Sequence, residues 1–240
     1  MKKIRIIQKR IGYSNAILIV NGENSVLVDT GVKGNMKKIR ILFKQAQLNP
    51  SDLKLIILTH THYDHTGNLT ALKKWTGAKV MVHKNEFENL KNGFTKIPGG
   101  TRKYPNIISR AGKLIFPKFA SPPQFNAEII NANEFDLTEF GLDAKVIHTP
   151  GHTKGSQSVI LGKTAIAGDA FVNMRNGWIF PPFADDPELL LQTWQMLFDR
   201  GIKEIYPGHG PKFKAEKAIP QFERWKEKIP NWHFNTTQAT

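Results

Sequence analysis

Four side chains that can bind a metal ion lie within six consecutive residues of this chain. The stretch reads His60-Thr61-His62-Tyr63-Asp64-His65 and directly follows the apolar run Leu55-Ile56-Ile57-Leu58. Zn²⁺ binds imidazole nitrogen and carboxylate oxygen at about 2.0–2.2 Å. A single histidine is more often a packed or solvated side chain, but four such groups in one short loop indicate a metal site.

Three more ligand-type residues follow β-like runs elsewhere in the sequence. His152, Asp169 and His209 each have a glycine directly before them, in segments expected to be loops at strand ends. Seven nitrogen and oxygen ligands suit two ions about 3.5–4 Å apart that share one carboxylate, and such ions lower the pKa of bound water to about 7. The seven residues together predict a hydrolytic site with two metal ions.

The remaining histidines are not assigned to the metals. His83 and His148 lie at the ends of β-like runs and are expected to be core residues or to support the ligands, whereas His233 lies near the end of the sequence. Asp29 also ends a β-like run. It either caps a turn there or stands close to the site.

The composition limits the class of protein. The chain has 240 residues, no cysteine and a net charge of +14. Without cysteine there is no disulfide framework, no thiolate nucleophile and no cysteine-bound metal. No apolar run reaches the roughly 20 residues that span a bilayer, and no signal peptide is evident, so we expect a cytoplasmic location. The positive charge either favours nucleic acid, acidic metabolites or a membrane surface, or forms a solvated basic surface.

The periodicity predicts an α/β protein. Short β-branched runs predict strands at 4–7, 16–20, 25–29, 53–58, 79–82, 128–130, 144–148, 157–161, 163–167 and 204–206. Helical spacing is found at 35–47, 68–75 and 216–228. A further helix is expected to begin after Asp186 as N-cap, with Pro187 in its first turn, and to end near residue 200.

An insertion at about 93–127 differs from the rest of the sequence. Prolines and glycines interrupt it, and six basic residues but no Asp or Glu occur in it. Apolar and aromatic residues lie between the basic ones. This texture predicts a lid or binding loop. The alternative is an ordered decoration whose basic side faces solvent.

Five motifs in order resemble those of the metallo-β-lactamase superfamily. His60-Thr61-His62-Tyr63-Asp64-His65 matches its HxHxDH signature. Asp29 is similar to its first motif, the segment 149–156 around His152 to its third, Gly168-Asp169 to its fourth and Gly208-His209 to its fifth. The resemblance covers about residues 1–215 and implies a four-layer αβ/βα sandwich. We expect residues 1–240 to form a single domain of this kind, with the insertion as a lid.

The resemblance also implies a role for each motif residue. His60, His62 and His152 would hold the first metal ion, and Asp64, His65 and His209 the second. Asp169 would bridge the two ions. Asp29 would orient the first motif without binding metal, and Asp64 would also shuttle a proton. The implied cofactors are two divalent ions per chain, Zn²⁺ first, with Mn²⁺ or Fe²⁺ as alternatives for the same ligands.

Within the superfamily the sequence is closest in character to the glyoxalase II-like and lactonase-like group. Many antibiotic-degrading members carry cysteine where this chain has Asp169, so true β-lactamase activity is not expected. The expected function is metal-dependent hydrolysis of an ester, thioester or lactone bond of a small, anionic substrate by a hydroxide that bridges the two ions. The alternative is a phosphodiesterase or nuclease acting on nucleotides or nucleic acid. A small-molecule substrate is favoured over nucleic acid as partner, and no membrane is expected.

Overall fold

Two six-stranded sheets form the centre of the structure, a computed structural model that describes residues 4–115 and 121–228. The strands of the first sheet, in spatial order, are β1 (Arg5–Ile11), β2 (Ser14–Asn21), β3 (Asn24–Val28), β4 (Leu53–Ile57), β5 (Lys79–His83) and β6 (Ile129–Asn131). The strands of the second sheet are neighbours in the order in which they occur in the chain. They are β7 (Glu134–Asp136), β8 (Lys145–His148), β9 (Gln157–Leu161), β10 (Thr164–Val172), β11 (Glu204–His209) and β12 (Phe213–Lys214).

The described residues form seven helices, most of which pack on the outer faces of the two sheets. They are α1 (Met36–Ala46), α2 (Tyr63–Thr66), α3 (Leu69–Thr76), α4 (Lys84–Asn92), α5 (Lys103–Ile115), α6 (Pro187–Asp199) and α7 (Ile219–Lys226). Short 3₁₀ turns occur at Pro50–Asp52, Thr138–Phe140 and Ala215–Ala218.

Alternation along the strands produces the layers. On β4, Ile56 packs with the helical residues Leu42 and Phe43, whereas Leu55 and Ile57 face the other way into the core between the sheets. A third core lies between the second sheet and helices α6 and α7. Because side chains alternate with a period of two, one strand serves two cores. The predicted four-layer αβ/βα sandwich is confirmed.

The strand directions bring several carboxyl ends to one edge of each sheet. Strands β3, β4 and β5 are mutually parallel. In the second sheet β10 and β11 are parallel, and β8 runs in the same direction because β9 is antiparallel to both β8 and β10. Loops that follow these strands therefore emerge at a common edge, where open α/β sheets bind ligands.

Several predicted elements agree with the structure. The predicted helices at 35–47 and 68–75 correspond to α1 and α3, and α6 begins where expected. Its N-cap, Asp186, accepts a hydrogen bond from the amide of Leu189 at 2.9 Å. The predicted helix at 216–228 is shorter, since its first turn is 3₁₀ and α7 begins only at Ile219. The strand predicted to end at 167 continues to Val172, because β11 pairs with it beyond that point.

Three helices were not predicted: the single turn α2, and the longer α4 and α5. Helix α5 lies inside the insertion at 93–127, which we expected to be a loop because of its prolines and glycines. Pro105 is the third residue of α5, in the first turn, where a missing N–H costs nothing. That the insertion acts as a lid, and that the chain is a single domain, stay predictions. Part of the insertion, 116–120, lies outside the described residues.

Among the described residues, no helix is long and apolar enough to span a bilayer.

Trp194 of α6 is fully buried and ties this helix to β10, because its indole N–H donates to the carbonyl of Ala170 at 2.7 Å. Trp194→Phe keeps most of the packing but leaves that carbonyl without a partner. We expect a loss of about 1–3 kcal/mol in the free energy of unfolding, measured by urea denaturation. The half-buried Trp178 provides a matched control, Trp178→Phe, which should cost less than about 0.5 kcal/mol. Equal losses in the two variants would show that the hydrogen bond is not the cause.

Candidate metal centre

The structure brings all seven predicted ligands together at the common edge of the two sheets. The chain leaves β4 at Ile57 and bends at His60; His62 then precedes α2 in extended backbone, and Asp64 and His65 lie on α2. The second sheet supplies the other three. His152 lies in the loop after β8, and Asp169 and His209 lie on β10 and β11.

The ligand atoms converge in three overlapping groups. The atoms of each group lie within 4.8 Å of one another, and the groups are His60, His62 and His152; His60, His65 and Asp169; and Asp64, His65 and His209. The Asp169 carboxylate lies between them. Its Oδ1 is 3.3 Å from Nε2 of His65, and its Oδ2 is 3.3 Å from Nε2 of His209 and 3.6 Å from Nε2 of His152.

Several of these atoms are buried without a hydrogen-bond partner. They are Nε2 of His60, His62 and His65, and Oδ1 of Asp169. Burying polar atoms without a hydrogen-bond partner costs free energy. A cluster of such atoms in one place indicates that a bound non-protein group completes their bonding. Imidazole and carboxylate ligands without sulfur fit divalent cations such as Zn²⁺, Mn²⁺ or Fe²⁺. The residues present therefore fit two cations.

Hydrogen bonds on the outer side of the imidazoles fix which nitrogen faces the cluster. Backbone carbonyls accept from Nδ1 of His152 (Phe183 O, 3.0 Å) and of His209 (Tyr13 O, 2.9 Å). Asp29 Oδ2 accepts from Nδ1 of His65 at 2.8 Å. A carbonyl or carboxylate can only accept, so Nδ1 carries the proton in all three rings. When such a ring is neutral, its Nε2 carries a lone pair directed at the cluster, as metal ligation requires.

Asp29 organises the signature loop. Besides His65, its carboxylate accepts from the amide and the hydroxyl of Thr59, both at 2.8 Å. Because the Thr59 hydroxyl donates to Asp29, it is free to accept from Nδ1 of His60, 3.0 Å away. Asp29 itself has φ +60°, a backbone conformation that Asp tolerates better than most residues. One buried carboxylate thus orients a ligand of each predicted ion.

Burial and neighbouring charges divide the histidines into two sets. Burial lowers the pKa of His62 and of His152 to about 4, and burial with the neighbouring imidazoles lowers that of His60 well below its usual range. Burial also acts on His65 and His209, but Asp169 together with the other neighbouring carboxylates outweighs it, and the pKa values of both histidines are raised. The first set is neutral at pH 7 and ready to bind a cation. The second set lies among the carboxylates, where a cation would replace the proton.

Small residues allow the ligands to approach closely. A Cβ on Gly208 would lie 1.9 Å from Oδ1 of Asp169 and 2.9 Å from Cε1 of His65. A Cβ on Gly168 would lie 2.5 Å from Oγ1 of Thr59. The glycines that precede Asp169 and His209 in the sequence are therefore required by the packing of the site.

Sequence analysis missed Glu86, a buried acid of α4. It accepts hydrogen bonds from the amide of Thr61, at 3.2 Å, and from the Thr61 hydroxyl, so it holds the residue between His60 and His62. A signal was present, because Glu86 lies four residues before the buried Leu90 on the apolar stripe of α4. An acid at such a position requires a partner.

Tyr13, in the turn between β1 and β2, was also missed. Its carbonyl binds His209, and its ring lies 6.1 Å from that of Tyr63 and 6.3 Å from that of His209. Burial and the charge of Asp64 raise the pKa of Tyr13 to about 12. Its hydroxyl therefore stays protonated at neutral pH.

A cavity of about 1240 Å³ opens in front of the ligands. Asp64, His62, His152, Asp169 and His209 form part of its wall. The insertion contributes the aliphatic side chains of Ile97, Pro98 and Ile108 to the wall, and Val172, Pro181, Pro182 and Phe183 also lie on it. The rings of Tyr13, Tyr63 and Tyr206 line the cavity as well. Phe171 and Phe180 instead pack in the core with Trp194.

The basic side chains of the cavity lie on its solvent side. Arg10, Arg175 and Lys212 line it and are exposed, whereas its carboxylates are the two predicted ligands Asp64 and Asp169. Once those carboxylates neutralise bound cations, the remaining field is positive and attracts anions.

His83 and His148, which were not assigned to the metals, do not join the cluster. The rings of His83 and His148 stack with their centroids 4.1 Å apart. Nε2 of His83 donates to the carbonyl of Ala132, and its Nδ1 accepts from the amide of Asn85. His233 lies outside the described residues. The structure therefore brings together the seven predicted ligands and Asp29, while the assignment of each ligand to an ion stays a prediction.

Comparisons with known proteins agree with this site. Residues 10–209 match the family model of the metallo-beta-lactamase superfamily. A probable metallo-hydrolase of Methanocaldococcus jannaschii is 30% identical over 207 residues, which cover 83% of this chain and 89% of that protein. An archaeal metallo-beta-lactamase superfamily protein from Sulfolobus tokodaii has a TM-score of 0.67 at 19% identity, covering 100% of this chain and 92% of that one. A protein solved in a di-iron-bound form has a TM-score of 0.63 at 25% identity, covering 90% of this chain and 96% of that one.

The four-layer sandwich and its cluster of histidines and aspartates define a class of metal-dependent hydrolases. The chain belongs to the metallo-beta-lactamase superfamily, as the five motifs predicted. The expected enzyme class is confirmed at the level of a metallo-hydrolase.

Asp29→Asn tests the organising carboxylate. The amide NH₂ would face one of three donors, so either His65 or Thr59 would lose its partner. We expect the affinity for divalent cations to fall about 10- to 100-fold, measured by competition with a chromophoric chelator. Asp52 provides a matched control: its carboxylate also accepts a backbone hydrogen bond, from Asn49, but lies in the turn before β4. Unchanged affinity in Asp29→Asn, or an equal loss in Asp52→Asn, would contradict this role.

Proposed function

We propose that the protein hydrolyses an ester, thioester or lactone bond of a small anionic substrate, using two divalent cations held by the seven ligands. The observation that carries this proposal is the combination of the buried, unpaired ligand atoms with the cavity in front of them. The aliphatic wall suits an acyl group, and the exposed Arg10, Arg175 and Lys212 suit a carboxylate or phosphate on the same molecule.

Each ligand has a proposed place. His60, His62 and His152 would hold one cation and Asp64, His65 and His209 the other, with Asp169 shared. When bound, the two cations would supply Lewis acidity towards a substrate oxygen and a water of lowered pKa. Asp169 is suited to sharing because its two oxygens face different histidines, His65 on one side and His152 and His209 on the other.

Two further residues would act on the substrate side. Asp64 lines the cavity, and one of its carboxylate oxygens would accept the proton released by the attacking water. The Tyr13 hydroxyl, protonated at neutral pH, lines the same cavity and would donate a hydrogen bond to a substrate oxygen. A hydrogen-bond donor at this position supports a carbonyl substrate.

The alternative is a phosphodiesterase or nuclease. The net charge of +14 and the three basic side chains of the cavity favour this alternative. The insertion's share of the wall favours the ester substrate instead, because nucleotide bases are bound by stacking on aromatic rings and the insertion presents the aliphatic Ile97, Pro98 and Ile108.

We propose Zn²⁺ as the native ion, since imidazole and carboxylate ligands suit it. The di-iron form of a related structure is a property of that protein. Mn²⁺ and Fe²⁺ remain the alternatives for these ligands, and the metal content of the protein purified without added metal distinguishes the three. A cytoplasmic location stays a prediction.

A substrate screen tests the reaction class. The metal-loaded protein is assayed with p-nitrophenyl esters, thioesters, lactones and bis-p-nitrophenyl phosphate, each with a neutral and a carboxylate-bearing version where one exists. We expect turnover of the carbonyl substrates, with kcat/KM higher for the anionic version. Arg175→Gln should reduce this preference and leave the neutral substrate unchanged. Turnover of the phosphodiester without turnover of any ester would overturn the proposal.

Asp169→Ala tests the shared ligand. We expect the metal content to fall from two ions per chain to one or none, measured by elemental analysis after dialysis. Turnover should fall at least about a thousandfold, because the centre supplies several kcal/mol of transition-state stabilisation. The control is Asp199→Ala, an acid of α6 remote from the cavity, which should keep both ions. Two ions retained by Asp169→Ala would show that Asp169 does not bridge them.

A further inference from the structure

Helix α5 has its apolar face turned to solvent. Leu114 is 85% exposed, Tyr104 71%, Ile115 63% and Ile107 58%. At 100° per residue these four side chains fall on one side of the helix. An amphipathic helix normally turns this side to the core. Four large exposed apolar residues on one short helix therefore indicate a partner.

Small residues on the opposite side attach α5 to the protein. Pro105 and Ser109 are buried, and the Ser109 hydroxyl donates to the carbonyl of Pro98 at 2.5 Å. Gly112 approaches Ile97 closely. The orientation of α5 is thus determined by specific contacts, and the exposure of its apolar side follows from them.

Positive charges border the apolar face. Lys103, Arg110 and Lys113 are exposed on the next part of the helix surface. The sequence from 93 to 127 contains no Asp or Glu to neutralise them. An apolar face bordered by lysine and arginine is the pattern of helices that lie in the interface of an anionic bilayer.

We propose that α5 docks on an anionic lipid surface. The side chains of Ile107, Leu114 and Ile115 insert between the lipids, and Lys103, Arg110 and Lys113 contact the negative headgroups. This inference goes beyond the proposed hydrolysis and departs from the expectation, drawn from the sequence, that no membrane is involved. It concerns surface docking, and no spanning segment is implied.

A second copy of the chain is a poorer partner for this face. It carries the same charge of +14 and the same basic border, so pairing α5 with α5 would bring like charges together. Ile108 adds a further argument, because it is 45% exposed and also lines the cavity. The apolar face is therefore continuous with the apolar wall of the cavity, an arrangement that suits a fluid acyl layer.

Co-sedimentation with vesicles tests the proposal. The full-length metal-loaded protein is mixed with vesicles of phosphatidylcholine and phosphatidylglycerol, and with vesicles of phosphatidylcholine alone. We expect binding to the anionic vesicles that weakens as ionic strength rises, and far less binding to the neutral ones. The measurement contains no substrate, so it is independent of the hydrolysis assays.

Three variants locate the binding surface. Ile107→Ser with Leu114→Ser should reduce the affinity at least about tenfold, because two inserted side chains are lost. Arg110→Gln with Lys113→Gln should reduce it by about tenfold or more. The matched control is Ile41→Ser, on α1, which removes an isoleucine that is 47% exposed and should leave the affinity unchanged. If the double serine variant does not fold, Leu114→Ser alone replaces it.

Three results would overturn the proposal. The first is the absence of binding to anionic vesicles. The second is binding that the serine variants leave unchanged, which would assign it to the general basic surface. The third is a dimer that Leu114→Ser converts to a monomer in sedimentation velocity while vesicle binding is absent, which would make a second copy the partner of α5.

Discussion

The confinement of five imidazoles and two carboxylates to one cluster is the constraint on which the rest of the structure depends. His60, His65 and Asp169 present buried atoms without a protein partner, and burial of such atoms is unfavourable unless cations complete them. The outer nitrogens of His65, His60 and His152 are held by Asp29, Thr59 and the Phe183 carbonyl respectively, so these rings cannot turn away to find other partners. The protein thus holds its ligands in an arrangement that costs free energy without metal and is already oriented to bind it. Ligands that are oriented in advance lose little entropy when an ion binds.

Sequence reasoning succeeded where the signal is local and failed where it depends on contacts between distant segments. The ligands of the signature loop lie within six residues, and their chemistry is recognisable without a fold. Helices α1 and α3 were predicted from their regular apolar spacing, and α6 from its N-cap Asp186 and from Pro187 in its first turn. Helix α5 was missed because proline and glycine interrupt its pattern, and because its buried side consists of Pro105, Ser109 and Gly112, which no hydrophobic periodicity reveals. Glu86 was missed for a related reason. Its role in holding the signature loop is recognisable only once the fold places Thr61 beside it.

The insertion and the metal centre are physically connected. Gly100 pairs with Phe183 in a short antiparallel bridge, and the Phe183 carbonyl accepts the hydrogen bond that orients His152. The same segment binds the ligand loop through its backbone, from Asp185 to the carbonyl of His152 and from Asp186 to that of Gly151. Arg102 adds a contact on the other side, with its guanidinium 4.5 Å from the ring of Trp178. A displacement of the base of α5 would therefore act on a ligand through a single intervening residue, which links events at the surface of the insertion to the site.

Each predicted ion draws its ligands from both sheets. The first would join His60 and His62 to His152, and the second would join Asp64 and His65 to His209. During synthesis on the ribosome the signature loop emerges long before its partners: the first ligand set is incomplete until His152 and Asp169 are made, and the second until His209 is made. Metal acquisition must then follow the docking of the two sheets rather than guide the folding of the first. Once bound, the ions act as cross-links between two parts of the chain that are about a hundred residues apart, and they stabilise the assembled sandwich by mass action. Removing the metal would therefore loosen the contact between the sheets, and the loss of activity would be accompanied by easier opening of the whole protein.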